Sequence, residues 1–327
     1  MSKILVVGTG SMGWNHARVC SSLDSLAGVC DQSKDAANRA GEQFSVPHFD
    51  SIGEAINETS PDALIIATPT STHLEVLKIA IDNGLDALIE KPIARDTVEA
   101  EEISSILDGT KAICAVGHIE RYNPVIKKAK EIIQTKEFGD VITTSARRVS
   151  NFPGRIRDVG VILDLGIHDI DNSIYLMGSK PVSVYCVGGS NHEIEFEDHV
   201  TMIIHFENGR SSVVEVNWIT PMKVRKISLT CDSAFVDIDY MNQEIVVSSS
   251  DFLELDNPNQ FQPKIQFESK TIAVEKREPL LLEIQDFINC IETRSPPLVS
   301  VMDGILALRV AQAAQESLSS GKVIPIV

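Results

Sequence analysis

The sequence lacks the features that would tie it to a membrane, a metal ion or a nucleic acid. No apolar run approaches the roughly 20 residues of a membrane-spanning helix, and the first aliphatic residues end in a glycine turn, unlike a signal peptide. The six cysteines are scattered without a CxxC pair, which predicts reduced thiols in the core and indicates neither a zinc site nor a disulfide framework. Because 29 basic residues face 46 acidic ones, the charge of −17 would repel nucleic acid. The sequence therefore predicts a cytoplasmic protein without metal, membrane or nucleic-acid partners.

A regular alternation of strands and helices occupies the first third of the chain. Short aliphatic segments are predicted as strands at residues 4–7, 26–30, 63–67, 87–90 and 112–116, and amphipathic helices separate them. Later segments alternate with a period of two, at 181–187, 200–206, 211–218, 225–231 and 243–248, with a glycine-containing turn at 207–210. The predicted fold class is α/β. Residues 1–120 form a Rossmann domain with a doubly wound parallel sheet, and residues 121–327 form an α+β domain with a large, mostly antiparallel open sheet.

A GxGxxG motif follows the first strand and opens a helix. Its amide groups and the helix N-terminus would face a pyrophosphate, and Asp31, 18 residues after Gly13, would accept hydrogen bonds from a ribose. A carboxylate there repels a 2′-phosphate, so NAD is favoured over NADP, although Lys34 lies close enough in sequence to weaken this preference. The alternative is a structural turn with Asp31 as a helix cap. The predicted cofactor-binding residues are Gly8, Gly10, Ser11, Met12, Gly13, Asp31, Ala67, Thr68, Pro69, His73, Glu90 and Lys91.

Two further segments carry groups suited to oxidising an alcohol. Lys91 follows the predicted strand at 87–90, so it should project at the carboxyl edge of the sheet. Asp164 and His168 are four residues apart in a helical pattern, a spacing that lets the carboxylate orient the imidazole. A histidine with an ordinary pKa of about 6.5 is the better base and a lysine the better charge stabiliser, although the two roles could be exchanged. Each feature taken alone is also compatible with a structural role.

These motifs together resemble the Gfo/Idh/MocA family of NAD(P)-dependent oxidoreductases. The resemblance rests on the glycine motif followed by Asn15-His16, on Thr68-Pro69, on Glu90-Lys91-Pro92, and on Asp164 with His168. It implies that Lys91, Asp164 and His168 are the catalytic residues and that substrate lies between the Rossmann crevice and the C-terminal sheet. It also implies a homodimer or homotetramer assembled through the outer face of that sheet.

The residues around 117–124, 155–160 and 217–218 resemble, within the family, the UDP-N-acetylglucosamine 3-dehydrogenases. The acid-free segment 147–157 contains Arg147, Arg148, Arg155 and Arg157, which would suit a diphosphate, since guanidinium groups bind phosphate oxygens in pairs. A solvated basic loop is the alternative. The predicted substrate-binding residues are Lys91, Glu120, Arg121, Tyr122, Arg155, Arg157 and His168. The resemblance implies an oxidoreductase that transfers a hydride from the C3 hydroxyl of UDP-N-acetylglucosamine to NAD. The alternatives are a dehydrogenase for inositol or another free sugar or polyol, and a noncatalytic NAD-binding sensor.

Overall fold

The first part of the chain alternates strands and helices as its sequence predicts. The structure is a computed structural model that describes residues 2–153, 159–192, 195–252 and 265–326. Its first elements are β1 (Ile4–Val7), α1 (Ser11–Ser22), β2 (Leu26–Cys30), α2 (Lys34–Phe44), β3 (His48–Phe49), α3 (Ile52–Thr59), β4 (Ala63–Ile66), α4 (His73–Asp82), β5 (Asp86–Ile89), α5 (Thr97–Leu107) and β6 (Cys114–Val116). All strand pairs in the sheet β3-β2-β1-β4-β5-β6 are parallel. This order is the Rossmann order, which confirms the predicted fold.

Burial explains why these strands read as continuous aliphatic runs. Every residue of β1, β4 and β5 is buried, as expected for a parallel sheet whose two faces are both covered by helices. The carboxyl ends of these strands lead into the loops after residues 7, 66 and 89. Ligands of open parallel sheets bind at such ends, so these loops are where a cofactor site is expected.

The second part of the chain is dominated by a large sheet. A 3₁₀ turn (Ile119–Tyr122) precedes α6 (Pro124–Thr135), β7 (Val141–Asn151), a π-helical turn (Ile162–Gly166) and α7 (Ile167–Met177). Seven strands follow: β8 (Pro181–Gly189), β9 (His199–Phe206), β10 (Ser211–Asn217), β11 (Ile219–Cys231), β12 (Phe235–Asp239), β13 (Glu244–Phe252) and β14 (Ile265–Ile272). The last elements are α8 (Pro279–Thr293), α9 (Val301–Ser320) and β15 (Ile324–Pro325).

The nine strands pair in the order β14-β13-β12-β11-β7-β10-β9-β8-β15. Only the pairing of β10 with β7 is parallel among the described pairs, so the predicted mostly antiparallel sheet is confirmed. The sequence did not predict β7, although this strand lies at the centre of the sheet.

The chain forms two compact units, and the first is discontinuous. It comprises Met1–Tyr122 together with Arg277–Arg309, and the second comprises Asn123–Lys276 with Val310–Val327. The sequence-based division at residue 120 differs from these units for residues 121–122 and 277–309. The physical reason is α8, whose Ile284 and Phe287 belong to the same apolar cluster as Ile4 and Val6 of β1.

The described ranges contain no helix that is both long enough and apolar enough to cross a membrane. They also contain no group of three or more His, Cys, Asp or Glu side chains arranged to hold a metal ion. All six cysteines are buried free thiols, as their scatter in the sequence predicts.

Candidate active site

The glycine turn between β1 and α1 is shaped by close backbone approach. Gly8 has φ +90°, and a Cβ on Gly13 would lie 1.7 Å from the Gly8 carbonyl oxygen, so both positions require glycine. At Gly10 a Cβ would meet nothing within 4 Å, so this side of the turn is open. Since no side chain caps the first turn of α1, its amide groups remain available to an anion. This cradle fits a pyrophosphate.

Asp31 is held at the end of β2 by the glycine turn itself. Its Oδ2 accepts hydrogen bonds from the amide and the hydroxyl of Thr9, at 2.7 and 2.9 Å, and its Oδ1 accepts one from the Ser33 amide at 2.9 Å. These bonds fix the carboxylate beside the turn, the position in which it would meet a ribose hydroxyl.

A cleft of about 570 Å³ opens beside this turn. Several predicted cofactor residues line it: Gly8, Gly10, Asp31, Ala67, Thr68 and Pro69. A second set of lining residues was not predicted from the sequence; it includes the acidic Asp50 and Glu75 and the apolar Ile52, Val76 and Ile79. The cleft therefore combines apolar surface for a nucleobase with acidic side chains, foremost Asp31, that disfavour the 2′-phosphate of NADP.

Lys34 is engaged by one of those carboxylates. Its Nζ lies 3.0 Å from Asp50 Oδ2, and the hydrogen bond and charge of Asp50 raise the pKa of Lys34, while the same contact lowers the pKa of Asp50. Lys34 is 82% exposed, so the pair is a surface contact of small energy. Asp50 nevertheless offsets the positive charge of Lys34, which was expected from the sequence to weaken the preference for NAD over NADP.

Glu90 and Lys91 follow β5, and Glu90 is buried beneath the loop. Its Oε1 lies 2.8 Å from His16 Nε2, and its Oε2 accepts the Lys91 amide at 3.0 Å. Burial alone would raise the pKa of Glu90, but the hydrogen bond from His16 and the charges of His16 and Lys91 outweigh it, so the pKa is lowered. The predicted cofactor residues Glu90 and Lys91 do not line the cleft described above, nor do Ser11, Met12 and Gly13.

His73 lies in the interior behind this loop, and it too is absent from the cleft lining. Its Nδ1 faces the carbonyl oxygens of Pro92 and Ile93, and its Nε2 faces that of Thr68. Burial lowers its pKa, opposed by the backbone contacts and by the charge of Glu90. The ring therefore contacts the backbone of the loops after β4 and β5, and it does not itself line the cleft.

In the second unit, Asp164 and His168 lie on one continuous helical segment. Asp164 belongs to the π-helical turn Ile162–Gly166 and His168 to the first turn of α7, and both are half-buried. The apolar side chains that recur at helical spacing in this segment are all buried: Ile167, Ile170, Ile174 and Met177. The π turn was not predicted. Such turns occur mostly as single insertions in α-helices and frequently at functional sites.

Glu197, in the loop before β9, holds the start of this helical segment. Its Oε1 accepts the Ile162 amide at 3.1 Å, and its backbone carbonyl accepts the Val161 amide at 3.0 Å. Burial raises the pKa of Glu197. The neighbouring Asp198 accepts hydrogen bonds from His192 and His199, and these outweigh its burial and lower its pKa to about 2. No periodic pattern or motif in the sequence marks this pair.

Two of the four arginines expected to bind an anion have acidic partners. Arg148 is 1% exposed and forms a two-bond ion pair with Asp169, which is fully buried, at 2.7 and 3.1 Å. Its guanidinium also lies over the ring of Tyr240. Arg147 pairs with Glu215 on β10. The expectation of an anion site is therefore wrong for Arg148, because its charge is used to connect α7 with β7.

The remaining predicted substrate residues fall in two groups. Arg155 and Arg157 lie outside the described residues. Glu120, Arg121 and Tyr122 are buried in the first unit, where Arg121 pairs with Asp303 at 3.0 Å and Tyr122 donates to Asp286 at 2.9 Å. Burial raises the pKa of Tyr122, as do the nearby carboxyl groups of Glu283 and Asp286. These contacts anchor Arg121 to α9 and Tyr122 to α8, and a role of Glu120, Arg121 and Tyr122 in substrate binding stays a prediction.

Comparison with known proteins agrees with both units. Residues 2–118 match a family model described as an oxidoreductase family with an NAD-binding Rossmann fold, and residues 126–236 match the GFO/IDH/MocA C-terminal domain. The cofactor is therefore NAD, as the sequence predicts and as the glycine cradle fits.

Two curated relatives align over nearly their whole length. The chain is 29% identical over 309 residues to UDP-N-acetylglucosamine 3-dehydrogenase of Acidithiobacillus ferrooxidans, covering 94% of each chain. It is 26% identical to scyllo-inositol 2-dehydrogenase (NAD(+)) of Bacillus subtilis, covering 98% of this chain and 95% of the relative. A solved structure of the Acidithiobacillus enzyme superposes with a TM-score of 0.87 at 27% identity, covering 98% of both chains.

Proposed function

We propose, because the chain belongs to the Gfo/Idh/MocA family of NAD-dependent oxidoreductases, that it oxidises a secondary hydroxyl of UDP-N-acetylglucosamine at C3 to the 3-keto sugar. The observation that carries this choice of substrate is the near full-length similarity to the Acidithiobacillus enzyme in both sequence and structure. Inositol is the second candidate, because the similarity to scyllo-inositol 2-dehydrogenase covers almost the whole chain as well.

The chemistry requires a proton acceptor, a charge stabiliser and a hydride acceptor. NAD, when bound, supplies the hydride acceptor. In this proposal His168 takes the hydroxyl proton, Asp164 orients the imidazole from the π turn four residues earlier, and Lys91 stabilises the charge that develops on the substrate oxygen. Glu90 positions Lys91, because its carboxylate accepts a hydrogen bond from the Lys91 amide. His16 in turn contacts the other oxygen of that carboxylate.

The substrate is tested by following NADH absorbance. UDP-N-acetylglucosamine, other UDP-sugars, free N-acetylglucosamine, scyllo-inositol and myo-inositol are compared by their kcat/KM. We expect the UDP-sugar to react most efficiently. Equal or better turnover of a free sugar or an inositol would replace the nucleotide-sugar proposal by the second candidate, and failure of all substrates with normal NAD binding would favour a noncatalytic sensor.

The roles of the side chains are tested by substitution. His168→Ala and Lys91→Ala should each lower kcat by roughly 10²- to 10⁴-fold and leave NAD binding nearly unchanged. In the unmodified protein, kcat/KM should rise with pH as a group of the free enzyme loses its proton. This rising limb should disappear or move in His168→Ala. The control is His48→Ala, which removes an exposed histidine of the first unit. Near-normal turnover of His168→Ala with an unchanged limb would move the role of base to Lys91.

We further propose a homodimer or homotetramer that assembles through the outer face of the large sheet. Tyr185 and Ile203, paired across β8 and β9, are both exposed, and Val187 extends the same apolar patch. Ile203→Asp should reduce the molar mass measured by light scattering after size-exclusion chromatography. An unchanged oligomer, or a monomeric unmodified protein, would contradict this assembly.

A further inference from the structure

His73 occupies an unusual position for a buried histidine. The residue is 1% exposed, yet both ring nitrogens face backbone carbonyl oxygens. Nδ1 lies 3.1 Å from the Pro92 oxygen and 3.3 Å from the Ile93 oxygen, while Nε2 lies 3.0 Å from the Thr68 oxygen. The two ring nitrogens thus contact backbone carbonyl groups of two separate chain segments.

Those segments are the loops that follow neighbouring parallel strands. Thr68 lies just after β4 and lines the nucleotide cleft, whereas Pro92 lies just after β5 and directly follows Lys91. Between β5 and α5 the chain has no regular secondary structure. A contact from α4 to this loop therefore limits the movement of Lys91 relative to the cleft.

We propose that His73 is a positioning residue that couples the loop carrying Lys91 to the loop lining the nucleotide cleft. The proposal rests on the function proposed above for Lys91. A neutral ring donates through one nitrogen only, whereas a doubly protonated ring would donate to both loops. Burial lowers the pKa of His73 and favours the neutral ring, which donates a hydrogen bond to one loop and stays in packing contact with the other through its second nitrogen.

Two substitutions separate the two ends of the ring. The amide nitrogen of asparagine lies near the position of Nδ1, so His73→Asn keeps a donor for Pro92 and Ile93. The longer glutamine places its amide near Nε2, so His73→Gln keeps a donor for Thr68. His73→Ala removes both donors, and His48→Ala serves as the control because it changes an exposed histidine in the same unit.

Two measurements on the whole protein do not require a known substrate. Hydrogen–deuterium exchange of the free protein reports separately on residues 66–72 and 90–95, and fluorescence titration gives the dissociation constant of NADH. The loss of one hydrogen bond is typically worth about two- to tenfold in an equilibrium constant. We expect His73→Ala to speed exchange in both segments and to weaken NADH binding by about that factor.

The conservative variants should divide these effects. His73→Asn should retain protection at 90–95, and His73→Gln should retain protection at 66–72 together with NADH affinity. A folded His73→Ala with unchanged exchange and unchanged NADH affinity would overturn the proposal. It would also be overturned if all three variants accelerated exchange uniformly across the first unit, because that pattern indicates a role in core packing alone.

The function proposed for Lys91 fails by a different result. If Lys91→Ala kept normal turnover, the role of Lys91 would be wrong, while the exchange and NADH results for His73 would still stand. If a substrate is found, kcat can be measured as well. His73→Asn, which keeps the donor for the loop carrying Lys91, should have a kcat closer to that of the unmodified protein than His73→Gln has.

Discussion

The buried carboxyl group of Glu283 makes a specific prediction about stability and pH. Glu283 lies on α8, is 1% exposed, and neither of its carboxyl oxygens has a hydrogen-bond partner among the described residues. Burial raises its pKa well above the ordinary value, and the charges of Glu90 and Asp286 raise it further. The group is therefore neutral in the folded protein at pH values where it would be ionised in the unfolded chain.

The sign of the effect follows from proton binding. Above the unfolded pKa the folded state holds a proton that the unfolded state has lost, so the free energy of unfolding falls as pH rises toward the folded pKa. The slope is about 1.4 kcal/mol per pH unit for one proton. Glu283→Gln keeps the shape of the side chain but cannot titrate. The stability of this variant relative to the unmodified protein should therefore grow by about 1.4 kcal/mol per pH unit from pH 5 until the pH reaches the folded pKa of Glu283.

The assay is urea denaturation of NAD-free protein at several pH values between 5 and 8, supported by thermal melts. In a domain of this size the predicted slope corresponds to roughly 3 to 6 °C per pH unit. Glu292→Gln is the matched control, because it makes the same substitution at an exposed position of α8. If the stability difference between Glu283→Gln and the unmodified protein stays constant with pH, the reasoning is refuted. If it changes with pH in the opposite direction, Glu283 is ionised and paired in the folded protein.

Three other predictions concern charges in and around the proposed site. Asp31→Ser should narrow or invert the preference for NAD over NADP in binding titrations, and equal affinities in the unmodified protein would refute the role of this carboxylate. Arg148→Met should cost about 3–5 kcal/mol in denaturation experiments because it leaves Asp169 buried and unpaired, and adding Asp169→Leu should recover most of the loss. Full stability of the single variant would contradict this. Arg155→Ala or Arg157→Ala should raise KM for a UDP-sugar by roughly ten- to a hundredfold with little change in kcat. An unchanged KM in both would remove the arginines from the substrate site.

The Rossmann unit was predictable because its signals are local. A few neighbouring residues suffice to indicate each feature: the aliphatic strands of four or five residues, the glycine turn and Asp31. The strands then pair in the expected order. The edge strand β3 escaped prediction because it has only two residues, His48–Phe49. Asp50, which follows it, was missed for the same reason and enters the cleft only through the fold.

The second unit was less predictable because its decisive contacts are distant in sequence. β7 was not predicted because Arg147 and Arg148 break its apolar alternation, and Arg148 is buried only because Asp169 compensates its charge. The π turn before His168 depends on Glu197, which lies more than 30 residues further along the chain. The positions of Asp164 and His168 on a helix were predictable, whereas the interactions that hold the start of that helix were not.

The discontinuity of the first unit also has a consequence for synthesis on the ribosome. Residues 277–309 complete the apolar cluster around β1, yet they are translated only after the whole segment Asn123–Lys276. Part of the apolar surface of the N-terminal strands therefore stays uncovered while about 150 residues of the other unit leave the ribosome. Ile284 and Phe287 would close that surface late, so a ribosome that stalls before α8 should leave a nascent chain exposed to chaperones or aggregation.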